Sequence, residues 1–105
     1  MAIVNVNMIH ISPWETCVGL MAAAGRLLIP NRGLLFMYGA YKVGGQFTTK
    51  SNEDFDQNLK LQNQDWGLRD VELVESEASK NGLVLLERID MPANNFSLVF
   101  LKKKA

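Results

Sequence analysis

The chain has 105 residues with eleven acidic and eleven basic side chains, so its formal net charge is zero. This length allows one small domain, and the zero charge argues against binding to nucleic acid or to a charged membrane surface. The single cysteine, Cys17, excludes an intrachain disulfide and fits a cytoplasmic protein. We expect no secretory signal, since the N-terminus has neither a positively charged region nor a cleavage site. We expect no bilayer-spanning helix, since no apolar run is long enough.

The first predicted element is a strand over residues 3–11, where isoleucine and valine dominate. Such a run is typical of a strand buried on both faces of a parallel sheet. Residues 12–15 read Ser-Pro-Trp-Glu and predict a capping box that starts a helix, with proline at the first helical position. Apolar residues at three- and four-residue spacing predict the buried stripe of this helix: Trp14, Cys17, Val18, Met21, Ala24 and Leu28.

A turn and a second strand follow this helix. Residues 30–33 read Pro-Asn-Arg-Gly and predict the turn, with Gly33 available for a positive φ. Residues 34–41 are apolar and predict a strand parallel to the first, so that the two strands and the helix between them form a right-handed βαβ unit. Residues 42–50 contain two adjacent glycines and predict a loop.

Two more helices are predicted in the middle of the chain. Residues 51–54 form a capping pattern for a helix that buries Phe55 and Leu59 and exposes a pair formed by Asp56 and Lys60. Asp70 predicts the cap of the next helix, which runs through Lys80 with three buried positions and a closing Asn-Gly pair: Val71, Val74, Ala78, Asn81 and Gly82.

The last third of the chain is predicted to be a pair of strands over residues 83–91 and 96–102. The turn between them, residues 92–95, is so short that the two strands should be antiparallel. The predicted order of elements is therefore β-α-β-α-α-β-β. We see neither an internal repeat nor a linker, so the chain is expected to be one domain over residues 1–105.

Several stretches along nearly the whole chain carry a resemblance to known proteins. They are Asn7-Met8-Ile9-His10-Ile11-Ser12-Pro13-Trp14, Ala24-Gly25-Arg26-Leu27-Leu28, Tyr38-Gly39-Ala40-Tyr41-Lys42, Ser51-Asn52 with Phe55-Asp56, Trp66-Gly67 with Arg69-Asp70, and Met91-Pro92-Ala93-Asn94-Asn95 with Leu98-Val99-Phe100. In this order they resemble the second half of class I S-adenosylmethionine (SAM) dependent methyltransferases, and more closely the DUF938 or UPF0585 family of methyltransferase-like proteins. The sequence departs from the family pattern at Ala40, where proline is expected.

The resemblance implies an α/β fold that is half of a Rossmann-like methyltransferase sheet with flanking helices. The four predicted strands correspond to strands four, five, six and seven of that sheet, in the order 4-5-7-6, three parallel and one antiparallel. The N-terminal half of the fold, with the Gly-rich turn and the acidic residue that hold SAM, has no counterpart in this sequence. The resemblance therefore implies a truncated methyltransferase-like domain.

Candidate ligand-binding residues follow from the expectation that ligands bind at the carboxyl ends of the strands. His10 is read as a substrate-facing base or hydrogen-bond donor, with a structural role for a buried histidine slightly favoured because no partner carboxylate is visible. The other candidates are Trp14, Tyr38, Tyr41, Lys42, Asn94 and Asn95. For the aromatic residues a place in the core, and for the asparagines a place in a turn, are the alternative readings. The resemblance implies that Asn7 and Met8 contact the cofactor if the missing half is supplied, and the alternative for Asn7 is an asparagine that satisfies the polar groups of a strand edge. Cys17 is expected to be a core residue, and no metal site is expected.

Two functions of different class are compatible with this sequence. The first is a methyltransferase-like protein without catalysis of its own and without a cofactor, which assembles as a homodimer through its first strand. The predicted dimer edge consists of Ile3, Val4, Asn5, Val6, Asn7 and Ile9. The alternative is the C-terminal portion of an active SAM-dependent small-molecule methyltransferase that a separate N-terminal half completes. We favour the first from the sequence.

Overall fold

The computed structural model describes residues 2–103 and has a mixed sheet with helices. The elements in chain order are β1 (Ala2–Val6), α1 (Trp14–Leu27), β2 (Leu34–Gly39), β3 (Tyr41–Lys42), α2 (Lys50–Gln62), β4 (Arg69–Asp70), α3 (Val71–Ser79), β5 (Leu83–Met91) and β6 (Asn95–Lys102). Single turns of 3₁₀ helix lie at Ile9–Ile11 and Pro92–Asn94. None of the helices in residues 2–103 has the length and apolar character needed to cross a membrane.

The main sheet has the strand order β1-β2-β6-β5. β1 and β2 are parallel, whereas β6 is antiparallel to both β2 and β5. β1, β2 and β5 therefore point the same way, and the order confirms the 4-5-7-6 arrangement that the resemblance implies. The short strands β3 and β4 form a separate parallel pair that the sequence patterns did not predict.

Helices α1 and α3 cover one face of the main sheet and form the core with it. Leu35, Met37, Leu98 and Phe100 point from β2 and β6 toward these helices and are fully or almost fully buried. The helices meet them with the residues Cys17, Met21, Ala24, Val71, Val74 and Ala78, which confirms most of the predicted stripes. Val18 of the α1 stripe is 37% exposed, so it lies at the border of the core.

The opposite face of the sheet is apolar, and much of it is open to solvent. Val4 and Val6 of β1 are 67% and 56% exposed, and Phe36, which pairs with Val4 across the two strands, is 38% exposed. Ile89 of β5, whose partner Ser97 is on the same face, is also exposed. We call these four residues, which combine large apolar side chains with high exposure, the open face.

The first strand is shorter and less buried than predicted. β1 ends at Val6 because Asn7 takes a left-handed backbone conformation, with φ of 51°, and turns the chain out of the sheet. Asn7 and Ile9 consequently lie outside the strand, and Ile9 is buried, so neither belongs to the predicted dimer edge. The expectation of burial on both faces was wrong, because only the helix-covered face of β1 is shielded.

None of the three predicted caps makes a capping hydrogen bond, although Asp70 does occupy the predicted cap position of α3. Ser12 does not cap α1: its hydroxyl donates to the Met8 carbonyl at 2.9 Å, and Pro13 occupies the cap position. α2 begins one residue before Ser51, and its cap is Thr49, whose Oγ1 accepts from the Asn52 amide at 3.1 Å. Asp70 precedes α3, but its carboxylate accepts from the Gly45 amide at 2.8 Å instead of capping the helix.

The burial of α2 also differs from the prediction. Phe55 is 39% exposed, whereas Asp56 is buried and pairs with the exposed Lys60 at 3.1 Å. Asp56 Oδ1 additionally accepts the Leu68 amide at 2.8 Å, so a specific backbone contact explains the buried carboxylate. Leu59 is buried as predicted.

The turn after α1 uses its residues differently from the prediction. The positive φ, 63°, belongs to Asn31 and not to Gly33. Gly33 is required for another reason: a Cβ there would lie 2.6 Å from Leu28 Cβ, so only glycine permits this close approach. The second strand ends at Gly39, before the predicted boundary at Tyr41.

Candidate functional site

The carboxyl ends of β1, β2 and β5 meet at one edge of the main sheet, which is where open α/β sheets bind ligands. The segment after β1 carries Asn7, Met8 and His10, and the turn after β5 carries Asn94. Tyr38 lies near the end of β2, and Asn95 begins β6 beside it. The predicted polar candidates therefore converge on this edge, although they do not form one continuous site.

His10 is packed into the structure at the end of β1. Its side chain is 4% exposed, and its ring meets that of Phe55 edge to face at 5.4 Å. Its carbonyl accepts from the Gly67 amide at 2.9 Å, and a Cβ on Gly39 would lie 3.5 Å from the imidazole Nδ1. Burial lowers the pKa of His10 below its ordinary value, so the imidazole is neutral at pH 7.

The lowered pKa of His10 predicts a loss of stability in mild acid. In the unfolded chain the imidazole takes up a proton near its ordinary pKa of about 6.5, whereas the folded chain takes it up only at lower pH. The free energy of unfolding should therefore fall as the pH is lowered through about 6.5, with a slope of at most about 1.4 kcal/mol per pH unit. Urea unfolding of the wild type and of His10→Gln between about pH 7.5 and 5.5 tests this. Parallel curves for the two proteins would contradict it.

Asn7 and Met8, the predicted cofactor positions, differ in exposure. Asn7 is exposed, and its amide donates to the Tyr38 carbonyl at 2.8 Å. Met8 is half-buried, and its sulfur accepts from Asn5 Nδ2 at 3.5 Å. Asn5 Oδ1 is buried with no partner in residues 2–103. The end of β1 thus leaves one side-chain acceptor unsatisfied.

A polar cavity of about 290 Å³ lies beside the turn after β5. We call it the amide cavity, and its polar lining residues are Thr48, Thr49, Asp90, Asn94 and Asn95. Asn95 Nδ2 donates to the hydroxyl of Tyr38 at 3.0 Å, which joins two of the predicted candidates.

A contact beside the amide cavity was not predicted from the sequence patterns. Asn52 is buried and donates through Nδ2 to the Asn94 carbonyl at 3.2 Å, which ties α2 to the turn after β5. Asn94 has a φ of 62°, as its reading as a turn residue anticipated. Asn52 belongs to one of the family-like stretches, and that is the only signal in the sequence that could have pointed to it.

A second cavity, of about 360 Å³, lies between the start of α1 and α3. We call it the indole cavity because Trp14 lines it, together with Lys42, another predicted candidate. Arg69 was not predicted, but its guanidinium carbon lies 5.8 Å from the centre of the Trp14 ring. Two predicted residues and one new one therefore share a site that is separate from the amide cavity.

Tyr41 is not available at the surface of residues 2–103. It is 1% exposed and packs in the core, where burial raises the pKa of its hydroxyl. Cys17 is fully buried as well, and burial raises the pKa of its thiol to about 11, which disfavours the nucleophilic thiolate. No group of three or more potential metal ligands lies within residues 2–103.

Several solved structures that share this fold are described as methyltransferases. The human N-acetylserotonin methyltransferase in complex with SAM has 12% identity and a TM-score of 0.84 over 98% of this chain. An O-methyltransferase family 2 protein from Planctomyces limnophilus in complex with apigenin has 16% identity and a TM-score of 0.83 over 96% of this chain. An O-methyltransferase family protein from Burkholderia thailandensis has 12% identity and a TM-score of 0.80 over 99%.

The present chain covers 29%, 30% and 30% of those three chains, respectively. It therefore matches the C-terminal half of a methyltransferase-like domain and under a third of each whole protein. Residues 1–102 also match the model of one sequence family, described as "Protein of unknown function (DUF938)". Since this match spans nearly the whole sequence, the chain belongs to the DUF938 family.

Proposed function

We propose that this chain supplies the C-terminal half of a SAM-dependent small-molecule methyltransferase and that it neither binds SAM nor transfers methyl groups by itself. The observation that carries the proposal is the open face of the main sheet. The buried, unpaired Cys17 is in keeping with a protein of the reducing cytoplasm.

The open face is what a missing layer of the fold leaves behind. Sheets with parallel strands normally carry helices on both faces, because each face is too apolar to meet water. Here Val4, Val6 and Phe36 are exposed on one face while Leu35 and Met37 are buried on the other. Burying one such side chain contributes about 1.5–3 kcal/mol relative to leaving it exposed. A further helical layer and a strand beside β1 are therefore the proposed complement.

SAM is the proposed methyl donor because solved neighbours were determined with SAM or S-adenosylhomocysteine. Residues 2–103 fit only one side of such a site: Asn7 and Met8 follow β1, and no Gly-x-Gly-x-x-Gly turn occurs in the sequence. When bound, SAM supplies an activated methyl group on its sulfonium sulfur. The remaining contacts must come from the completing half.

The part of the reaction that this chain is proposed to perform is positioning of the acceptor and removal of its proton. Asn94 and Asn95 offer hydrogen bonds in the amide cavity. His10 is 4% exposed and lies outside that cavity, so neutral His10 can take a hydroxyl proton only when the acceptor displaces the ring of Phe55 beside it. Asn52 and Phe55 lie three residues apart on α2 and contact Asn94 and His10, so one helix supports both groups. His10, Tyr38, Asn94 and Asn95 are thus the proposed acceptor-side residues.

The decisive measurement is calorimetric titration with SAM and S-adenosylhomocysteine. We expect no saturable heat with this chain alone. Saturable heat should appear when the preceding SAM-binding half of a DUF938 relative is fused in front of Ala2. In that fusion, Val4→Asp with Val6→Asp should abolish binding, because the two carboxylates would be buried at the new interface. Leu61→Asp, at an 87% exposed position on α2, is the matched control. Saturable binding by the unfused chain would overturn the proposal.

A homodimer through β1 is the second candidate. It is favoured by one observation, that β1 is an edge of the main sheet and that no strand from residues 2–103 covers its outer side. Antiparallel pairing of Ile3, Val4, Asn5 and Val6 with a second copy would extend the sheet but would leave the open face exposed, so we rank it second. Light scattering distinguishes the two: the dimer requires twice the chain mass of 11.8 kDa without any added half.

A further inference from the structure

The indole cavity lies outside the amide cavity, and we propose that it binds a small anion with a flat apolar body, such as an aromatic carboxylate. The cavity of about 360 Å³ is within the range of small-molecule sites and opens between α1, β3, β4 and α3. The proposal does not depend on methyl transfer, since all of the residues that form the cavity belong to this chain.

The apolar part of the indole cavity can accept a flat ring. Trp14, the first residue of α1, is half-buried, and Leu68 and Leu73 add aliphatic surface. Aromatic rings prefer offset or edge-to-face contact with an indole, and such contact adds to the effect of buried area. Because Leu73 is 56% exposed, it forms the outer part of the cavity and leaves the entrance open.

The charged side chains around the indole cavity have a formal excess of one positive charge. They are Lys42, Arg69, Lys80, Asp70 and Glu77. Glu77 pairs with Lys80 at 3.3 Å, and Asp70 accepts the neutral Gly45 amide. The ion pairs found in residues 2–103 involve neither Lys42 nor Arg69, and Lys42 Nζ lies 5.6 Å from the ring centre of Phe47. An anion in the cavity would balance the excess positive charge.

Arg69 is held in place before any ligand binds. Its Nη2 donates to the carbonyl of Ser12 at 2.9 Å and to the carbonyl of Asp65 at 2.7 Å. Its Nε is buried and has no partner in residues 2–103. A fixed guanidinium loses little freedom on binding, and the unpaired N–H adds a donor that a small shift can direct to a ligand oxygen. The rigid cation and the indole together define the ligand chemistry.

The test is an NMR titration of the ¹⁵N-labelled chain with benzoate and, separately, with the neutral isostere benzamide. The chain has two tryptophans, and Trp66→Phe assigns the indole resonance of Trp14. We expect benzoate to shift the Trp14 indole signal saturably and to bind about tenfold more tightly than benzamide, because its hydrogen bonds are charge-assisted. Lys42→Met should weaken benzoate binding and so reduce its preference over benzamide, with Arg69 still in place, and should leave benzamide binding unchanged. Arg32→Met removes one positive charge at an exposed site away from the cavity and serves as the control.

Three outcomes would overturn this site: no saturable shift well into the millimolar range, equal affinity for benzoate and benzamide, or no effect of Lys42→Met. Overlay of the amide spectra shows whether each variant is folded. Neither SAM nor a completing half is present in these titrations, so their result is independent of the proposed methyltransferase.

Discussion

Replacing Gly25 by alanine is expected to lower the free energy of unfolding by about 1–3 kcal/mol, although the same change inside an open helix raises it by up to about 1 kcal/mol. Gly25 lies in α1, where a Cβ would sit 2.5 Å from the carbonyl oxygen of Asn81 and 2.9 Å from its Cβ. The turn after α3 contacts the helix backbone there, so an added methyl group must push the two apart.

Gly19 provides the control for this prediction within the same helix. A Cβ at Gly19 would meet nothing within 4 Å, so Gly19→Ala should raise the free energy of unfolding by about 0.5–1 kcal/mol. Urea unfolding of both variants, with unchanged m-values, measures the difference. Equal stabilisation by the two substitutions would show that α1 and the turn at Asn81 do not touch as described.

Removing the carboxylate of Asp56 is expected to cost about 1.5–3 kcal/mol of stability, since a buried amide then loses a charged acceptor. Asp56 is 2% exposed and accepts from the Leu68 amide at 2.8 Å. Asp56→Ala should give the full loss, and Asp56→Asn a smaller one because one acceptor oxygen remains. Asp54→Ala, which removes an exposed partner of Lys50 in the same helix, should change stability by less than about 1 kcal/mol.

The same substitution should also be visible at His10. Asp56 holds residues next to Gly67, whose amide donates to the His10 carbonyl at 2.9 Å. In an NMR spectrum, Asp56→Ala should therefore shift the ring signals of His10, while Asp54→Ala should not. Unchanged His10 signals together with an unchanged stability would contradict the role assigned to Asp56.

The apolar runs and stripes of the sequence were sufficient to predict the four strands of the main sheet and the helices α1 and α3, whereas the order of the strands came from the family resemblance. The sequence was not sufficient for the helix caps. Ser12, Thr49 and Ser51 are all competent caps by residue type, and only the direction in which the chain enters the helix selects among them. Residue type likewise cannot show that Asp70 turns to Gly45, because that contact depends on the fold of the intervening loop.

The sequence predicted which residues belong to the candidate site better than it predicted how they are arranged in space. Strand ends identified His10, Tyr38, Asn94 and Asn95, which do converge on one edge. Tyr41 was included as the last residue of the predicted second strand, but β2 ends at Gly39, and Tyr41 belongs to β3 and is buried in the core. Arg69, like Asn52, is marked only by its place in a family-like stretch, since its position over Trp14 joins segments 55 residues apart.

The open face links the stability of this chain to the binding of other molecules. Any molecule that covers Val4, Val6 and Phe36 binds the folded state and not the unfolded one, so it shifts the folding equilibrium by mass action. A completing half present at 100 times its dissociation constant would add about 2.7 kcal/mol. If such a partner exists, the free energy of unfolding of this chain would depend on the partner's concentration, and the lifetime of the chain in a cell would follow the amount of partner made.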